Sequence, residues 1–234
     1  MSQLGADHRS ARPTRRAVLG GVAAGSLVLL GRRQAPAAAS WMPQAPPPPI
    51  HFDVIRGSDL IGTHDVTFEA AAGGGLAVRT HIDIAVRILA VTVFDFRHDS
   101  TELWRDQRLQ AFDSKTHDDD SEFFVTGRAM ADGFQVTNKK GTGMVPADIM
   151  VSSYWTSEIA RQKVVLDAQR GRLKDQTLLG TDTVAIAVVG RPVEATRYRL
   201  AGVTNGWVAY DDRGRWLAAE LQKKGTDILY RLRT

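Results

Sequence analysis

The sequence predicts an all-β, mainly antiparallel fold, in which a strongly curved sheet or an incomplete barrel carries one short helical element. Three observations lead to this fold class. Apolar and polar residues alternate with a period of two from residue 76 to residue 89, as in a half-buried strand. Shorter runs of the same kind recur about every ten residues, separated by glycine, asparagine or aspartate. The helical period of about 3.6 residues is missing from most of the chain.

The N-terminal half of the domain is predicted as a succession of strands. These strands span residues 50–56, 63–69, 76–89, 91–98, 101–108, 110–116, 122–129 and 134–138. Residues 57–62 and 72–75, which are rich in glycine, form the first two connections. On the long strand Ile82, Ile84 and Val86 should face inward, because successive side chains point to opposite faces, and Asp83 should face water.

The C-terminal part begins with a different kind of segment. Residues 146–163 contain large apolar side chains without alternation, which predicts a loop and a short helix at 153–162. Strands then resume at 183–189, 193–200, 207–210, 216–222 and 228–233. Glycine, asparagine or aspartate in the connections between them supplies the backbone conformations that tight hairpins need.

The first 39 residues read as an export signal. Arg15 and Arg16 followed by a weakly apolar stretch resemble the twin-arginine signal, and cleavage is expected after Ala39. The apolar stretch 17–31 has 15 residues, fewer than the about 20 that a membrane-spanning helix requires. We therefore expect the twin-arginine export machinery as a partner, a periplasmic location, and no stable membrane span after cleavage.

Charge and composition argue against several classes of function. Six arginines and one acid give residues 1–39 a net charge of +5, so the remaining 195 residues carry a net charge of −1. A body that is neutral overall gives no reason to expect nucleic-acid binding. The absence of cysteine excludes disulfides and thiolate chemistry. Residues 40–49 form a proline-rich linker, and residues 50–234 form one predicted domain.

A set of short patterns runs through the mature chain. The patterns are Gly57-x-x-x-Ile61-Gly62, Glu102-x-Trp104, Leu109-x-x-x-x-Ser114-x-Thr116, Pro146 with Tyr154-Trp155, Gly171-x-Leu173, Tyr198-x-Leu200-x-Gly202, Tyr210-Asp211, Gly214-Arg215-Trp216-Leu217 and Tyr230-x-Leu232. Their order and spacing resemble a group of exported proteobacterial proteins known only as domains of unknown function. The resemblance implies a curved antiparallel sheet around a small helical element, similar to LolA-like periplasmic lipoprotein carriers. It implies no activity.

The sequence contains no motif typical of a metal or cofactor site. The histidines after the leader fall on different predicted strands, and neither a His-Glu-x-x-His motif nor a Gly-x-Ser-x-Gly motif occurs. The acidic run 117–120 is interpreted as a solvated hairpin tip, and Lys139-Lys140 with the following glycines as a turn. No metal site and no cofactor are predicted.

The apolar face of the long strand is the main candidate site. If the curved sheet is not filled by side chains, this face could line a cavity for a lipid or another apolar ligand; otherwise it is core. The predicted lining residues are Val78, Ile82, Ile84, Val86, Ile88, Phe94 and Phe96. We favour this binding function over an enzyme. The alternatives are a catalytic site built from His98, Glu102 and Asp106, and an envelope protein without a small ligand.

Overall fold

The predicted all-β fold is confirmed. The computed structural model describes residues 40–88, 91–223 and 225–233, without the side chains of residues 87, 88, 91 and 92. Within these ranges 14 strands form one antiparallel sheet that does not close into a barrel. The strands are β1 (Ile50–Arg56), β2 (Asp59–Ala70), β3 (Leu76–Ile88), β4 (Val91–Arg105), β5 (Arg108–Asp118), β6 (Ser121–Ala129), β7 (Phe134–Asn138), β8 (Gly141–Val145), β9 (Val164–Leu166), β10 (Leu173–Val188), β11 (Arg191–Gly202), β12 (Gly206–Tyr210), β13 (Trp216–Lys223) and β14 (Thr226–Leu232).

Two meanders make up this sheet. Strands β1 to β8 follow one another in space as they do in sequence, and so do strands β9 to β14. The first and last strands of the chain join the two halves, because β1 pairs with β14 in a register that places Phe52 opposite Leu232. The two ends of the described domain therefore lie in the middle of the sheet.

The sheet curls, so that strands far apart in the ladder face each other. Five strand spacings separate β4 from β13, which would be about 24 Å in a flat sheet. The Lys223 ammonium at the end of β13 nevertheless lies 5.9 Å from the centre of the Phe96 ring on β4. The His64 ring on β2 lies 5.3 Å from the Trp216 ring on β13. We call the concave side, onto which these four side chains project, the inner face.

The segment without alternation packs inside the curve. Its only helical turn in the described structure is a five-residue 3-10 helix, Ser157–Arg161, which is shorter than the helix predicted at 153–162. Tyr154, Trp155 and Ile159 are buried. Trp155 Nε1 donates to Glu102 on β4 (3.1 Å), and the hydroxyl of Tyr210 on β12 donates to the Tyr154 carbonyl (2.8 Å). The segment thereby links the inner faces of the two meanders.

Several strand boundaries differ from the prediction. The strands predicted at 91–98 and 101–108 are one strand, β4, because Asp99 and Ser100 pair with β3 on one side and β5 on the other. These two polar residues suggest a turn locally, but the ladders on both sides satisfy their backbone groups. Residues 139–143 were predicted as a turn, but residues 141–145 form β8, and β9 was not predicted. Strand β10 begins at Leu173, ten residues before the predicted start.

The predicted phase of the long strand is confirmed. Ile82, Ile84 and Val86 are buried, whereas Arg79 and His81 are exposed. The side chains of Arg87 and Ile88, and the predicted signal with Arg15, Arg16 and Ala39, lie outside the described residues. Within the described part of the chain, no helix has the length and apolar character that a membrane crossing requires.

Candidate functional site

One end of the inner face is apolar and only partly covered. We call it the hairpin end: it lies where β3 ends and β4 begins, and β13 and β14 meet there as well. Its residues are Ile84, Val86, Phe94, Phe96, Leu221, Lys223 and Ile228. Phe94, Leu221 and Ile228 are half-buried, although all three belong to the inner face. Phe94 and Phe96 have nearly parallel rings, with centroids 6.4 Å apart.

The predicted lining residues therefore share one face but differ in their surroundings. Val78 is 0% exposed, whereas Ile84 is 8% and Val86 5% exposed. Val78 pairs with Glu102 on one side and Phe68 on the other, towards the opposite end of the sheet, where the Phe68 ring lies 5.8 Å from the Trp155 ring. The structure thus divides the predicted ladder into a part that is core and a part that approaches the surface at the hairpin end.

The opposite end is closed by tryptophans, and we call it the tryptophan end. The Trp104 ring lies 6.1 Å from the Trp155 ring, and Trp41 from the linker packs against both, at 5.4 and 5.8 Å. The backbone N–H of Trp41 also donates to Gln107 Oε1 (3.3 Å) in the β4–β5 turn. At least this part of the proline-rich linker is therefore packed on the domain.

Glu102 lies beneath these tryptophans. Its Oε2 accepts hydrogen bonds from Trp104 Nε1 (2.7 Å) and Trp155 Nε1 (3.1 Å). Burial raises the pKa of this carboxyl, while hydrogen bonds from Ser153 and the two indoles act in the opposite direction. Its position explains why the chain places a carboxyl in the core: it satisfies two buried indole N–H groups at once.

The structure does not bring together the three residues of the alternative catalytic site, His98, Glu102 and Asp106. His98 and Glu102 both lie on the inner face of β4, but four residues separate them, about 13 Å along a strand. Asp106, predicted within the strand 101–108 that carries Glu102, does not belong to that strand. β4 ends at Arg105, and Asp106 is exposed in the following turn with a φ of 50°. A turn residue with positive φ no longer follows the alternation of the strand.

A band of polar side chains crosses the inner face between the two ends. Two neighbouring rows of the β2–β5 ladders form it, and its members are His64, Thr80, His98, Ser100, Ser114 and Thr116. All six are buried. We call this set the polar band. The alternation of residues 76–89 places Thr80 on the same face as Ile82 and Ile84, but neither His64 nor Thr80 was predicted as a site residue.

One half of the polar band is satisfied by the chain itself. Ser114 Oγ donates to the Ala168 carbonyl (2.7 Å), and His98 Nδ1 lies 2.8 Å from Thr116 Oγ1. The connection between β9 and β10 packs against β5 through the Ser114 hydrogen bond and through Thr116 Oγ1, which donates to the Gln169 carbonyl (3.5 Å). Asn138 of β7 donates to the Gly171 carbonyl of the same connection (2.6 Å). The hydroxyls on β5 therefore have a structural role.

Two members of the polar band, His64 and Thr80, have buried polar atoms that lack partners. Neither ring nitrogen of His64 has a hydrogen-bond partner among the described residues, and the same is true of Thr80 Oγ1. The rings of Phe52, Trp216 and Tyr230 surround His64 at centroid distances of 6.1, 5.3 and 5.6 Å. Burial lowers the pKa of His64 to about 3 and that of His98 to about 4, so both imidazoles are neutral at pH 7.

The outer face of the sheet carries charged side chains in cross-strand pairs. His51 Nδ1 lies 2.7 Å from Asp65, and His81 Nδ1 lies 2.7 Å from Asp99. An open trough of about 640 Å³ over β2–β6 is bordered by Asp65, His81 and Asp99, together with Arg79 and Lys115. In the acidic run, Asp118 pairs with Arg170 (2.8 Å), and Asp119 and Asp120 occupy the hairpin turn. Among the described residues no cluster of three or more His, Cys, Asp or Glu side chains is arranged to hold a metal ion.

Comparisons with known proteins agree with this architecture. A family model for a domain of unknown function, DUF6134, matches residues 52–233. The crystal structure of a beta-barrel-like protein of domain of unknown function DUF1849 from Brucella abortus is similar in fold, with a TM-score of 0.57 and 12% identity. The match covers 80% of this chain and 95% of that one, and at such an identity it shows the fold alone. Comparison with curated proteins gives no significant match. The chain therefore belongs to the DUF6134 family of domains of unknown function.

Proposed function

We propose that this protein is exported to the periplasm and binds an apolar ligand, such as an acyl chain, at the hairpin end of its curved sheet. One observation carries the proposal. Phe94, Leu221 and Ile228 belong to the concave face and remain half-buried, whereas Trp104 and Trp155 at the tryptophan end are only 1% and 5% exposed. A concave, partly covered apolar surface is the usual form of a small-molecule site.

The expected affinity follows from the area that such a ligand buries. About ten methylene groups would contribute roughly 8 kcal/mol at about 0.8 kcal/mol each. Ordering the ligand and the surrounding side chains costs several kcal/mol. The remainder corresponds to a dissociation constant between micromolar and millimolar. The Lys223 ammonium at the rim, over the Phe96 ring, limits how much of the opening is apolar.

An enzymatic function receives less support. His98 and Glu102 make no contact with each other and have different partners, Thr116 for the histidine and two indoles for the carboxyl. The two indole hydrogen bonds of Glu102 serve the packing of the tryptophan end.

Filling the hairpin end should abolish ligand binding. Val86 is buried on the inner face, opposite Phe94, so the indole of Val86→Trp would occupy the space proposed for the ligand. We expect saturable binding of the neutral apolar dye N-phenyl-1-naphthylamine by the wild-type protein, measured by its fluorescence, and at least a tenfold loss in this variant. The matched control is Ala85→Trp, since residue 85 points to the outer face. Equal binding by both variants, or no saturable binding by the natively folded protein, would contradict the proposal.

The export route has its own test. If Arg15 and Arg16 form the targeting pair, replacing both by lysine should leave the protein in the cytoplasm, because the pair and not its charge is recognised. Fractionation of cells that produce the full chain measures the outcome. Normal recovery of the double variant from the periplasm would disprove the twin-arginine assignment, and the length of the exported form would show whether cleavage follows Ala39.

A further inference from the structure

The inner face of β4 changes in character with distance from the hairpin end. Phe94 and Phe96 come first, followed by His98 and Ser100 of the polar band. Phe94 and His98 are four residues apart, which is about 13 Å along the strand. Ile84 on β3 pairs with Phe96 and continues the apolar surface up to the same limit. A chain that enters at the hairpin end therefore reaches polar side chains at a fixed depth.

The part of the polar band nearest β2 has hydrogen-bonding capacity that the described chain does not use. A neutral imidazole has one donor and one acceptor, and a hydroxyl is both. The ring nitrogens of His64 and the hydroxyl of Thr80 have no partner among the described residues. Buried polar groups left without a partner each cost on the order of 1–3 kcal/mol, and native structures rarely carry them without a reason.

The neighbours of His64 do not supply that reason. Phe52, Trp216 and Tyr230 surround the ring with aromatic side chains, which provide packing but leave the two nitrogens unpaired. On β5, by contrast, Ser114 finds a carbonyl in the connection between β9 and β10. The fully buried polar atoms of the polar band that lack a partner therefore belong to His64 on β2 and Thr80 on β3.

The chemistry of the polar band indicates which group it could accept. It contains imidazoles and hydroxyls but no carboxylate and no ammonium or guanidinium group, and both imidazoles are neutral at pH 7 because they are buried. A carboxylate or phosphate placed among these groups would be buried without a counter-charge, which is costly. A hydroxyl both donates and accepts, and so matches an imidazole nitrogen and a threonine hydroxyl at once.

We propose that His64 and Thr80 bind the uncharged hydroxyl end of a long-chain amphiphile, whose alkyl chain fills the hairpin end. This inference rests on the proposed function, since it assigns the orientation and the ligand class of the same site. The polar end of the ligand lies deepest, and the alkyl chain runs outward past Phe96 and Phe94. The site thereby prefers alcohols to carboxylates of equal length.

Three probes of equal length test this assignment: decan-1-ol, decanoate and decane, each measured by displacement of N-phenyl-1-naphthylamine. We expect decan-1-ol to bind at least tenfold more tightly than either of the others. His64→Phe and Thr80→Val should each weaken decan-1-ol about tenfold, the loss expected for about one buried hydrogen bond. Decane binding should not change. Near-ultraviolet circular dichroism verifies that both variants are folded.

Two controls separate the hydroxyl from its position. Thr101→Val removes a threonine hydroxyl from the outer face of β4 and should leave the affinity for decan-1-ol unchanged. Thr80→Ser keeps the hydroxyl and should retain most of the affinity. If His64→Phe fails to fold, the comparison of Thr80→Val with Thr80→Ser still tests whether the Thr80 hydroxyl binds the ligand.

The failures of this inference and of the proposed function can be distinguished. Equal affinities for the alcohol and the acid, or unchanged decan-1-ol affinity in the folded variants, would overturn the role of the polar band while leaving apolar binding intact. That result would assign the unpaired atoms to buried water alone. If neither the dye nor any of the three probes binds, both the proposed function and this inference are wrong.

Discussion

Replacing Ile84 by aspartate should lower the free energy of unfolding by several kcal/mol. Ile84 is 8% exposed on the inner face and lies between Gly62 on β2 and Phe96 on β4. A carboxylate at this position would be buried among apolar side chains without a partner, one of the few changes that cost more than about 3 kcal/mol. Urea titration followed by far-ultraviolet circular dichroism measures the difference.

The adjacent residue provides the matched control. Asp83 is half-exposed on the outer face, and its carboxylate is 3.9 Å from Arg97, a surface pair worth less than about 1 kcal/mol. Asp83→Ser should therefore change the stability only slightly. Similar losses in the two variants would show that β3 does not separate an inner from an outer face as described.

Lowering the pH from 7 to about 3 should remove several kcal/mol of stability, mainly through His64 and His98. Burial holds their pKa values near 3 and 4 in the folded protein, against 6.5 in the unfolded chain. Between these values the unfolded chain binds more protons than the folded one, so stability falls as the pH falls. Above about pH 6.5 both histidines are neutral in the folded and in the unfolded chain, so none of this stability is lost there. At about 1.4 kcal/mol per pKa unit, the loss approaches 5 kcal/mol for His64 and about 3 kcal/mol for His98.

His64→Phe should make the protein more resistant to acid, because phenylalanine fills the same aromatic surroundings and takes up no proton. We expect its unfolding midpoint in an acid titration to move to lower pH by about one unit. His81→Phe is the control, since His81 is exposed on the outer face and pairs with Asp99. Acid midpoints that do not differ between His64→Phe and the wild type would contradict the assignment of acid sensitivity to His64.

The two predictions concern the same surface. Ile84 belongs to the apolar hairpin end and His64 to the polar band, and both face the interior of one curved sheet. A ligand that uses both regions would stabilise the folded protein by mass action. The protein must therefore be free of co-purified ligand when the stabilities of the variants are compared, and extraction with organic solvent followed by mass spectrometry verifies this.

The local pattern of the sequence determined which residues form strands and which of their faces is buried. The alternation through residues 76–88 placed Ile82, Ile84 and Val86 inside because side chains on a strand alternate between two faces, a property that needs no distant partner. Glycine, asparagine and aspartate marked most hairpin turns for an equally local reason, their tolerance of positive φ.

Only the tertiary structure decided where strands end when ladders on both sides override local preference. Asp99 and Ser100 look like a turn, yet they lie in the middle of the 15-residue strand β4, paired with β3 and β5. Asp106 looks like a continuation of the strand, yet it lies in the turn. Both outcomes depend on backbone hydrogen bonds to residues elsewhere in the chain, which a local pattern does not contain.

The candidate site depends on the same long-range contacts. The alternation of residues 76–88 placed Thr80 on the inner face, but the lack of partners of His64 and Thr80 follows from which segments pack against them. The connection between β9 and β10 supplies carbonyls to Ser114 and Thr116 on β5, and the rings of Phe52 and Trp216 surround His64 instead. Burial and pairing are properties of the assembled interior, because they depend on residues that are far apart in the chain and meet only when the sheet curls.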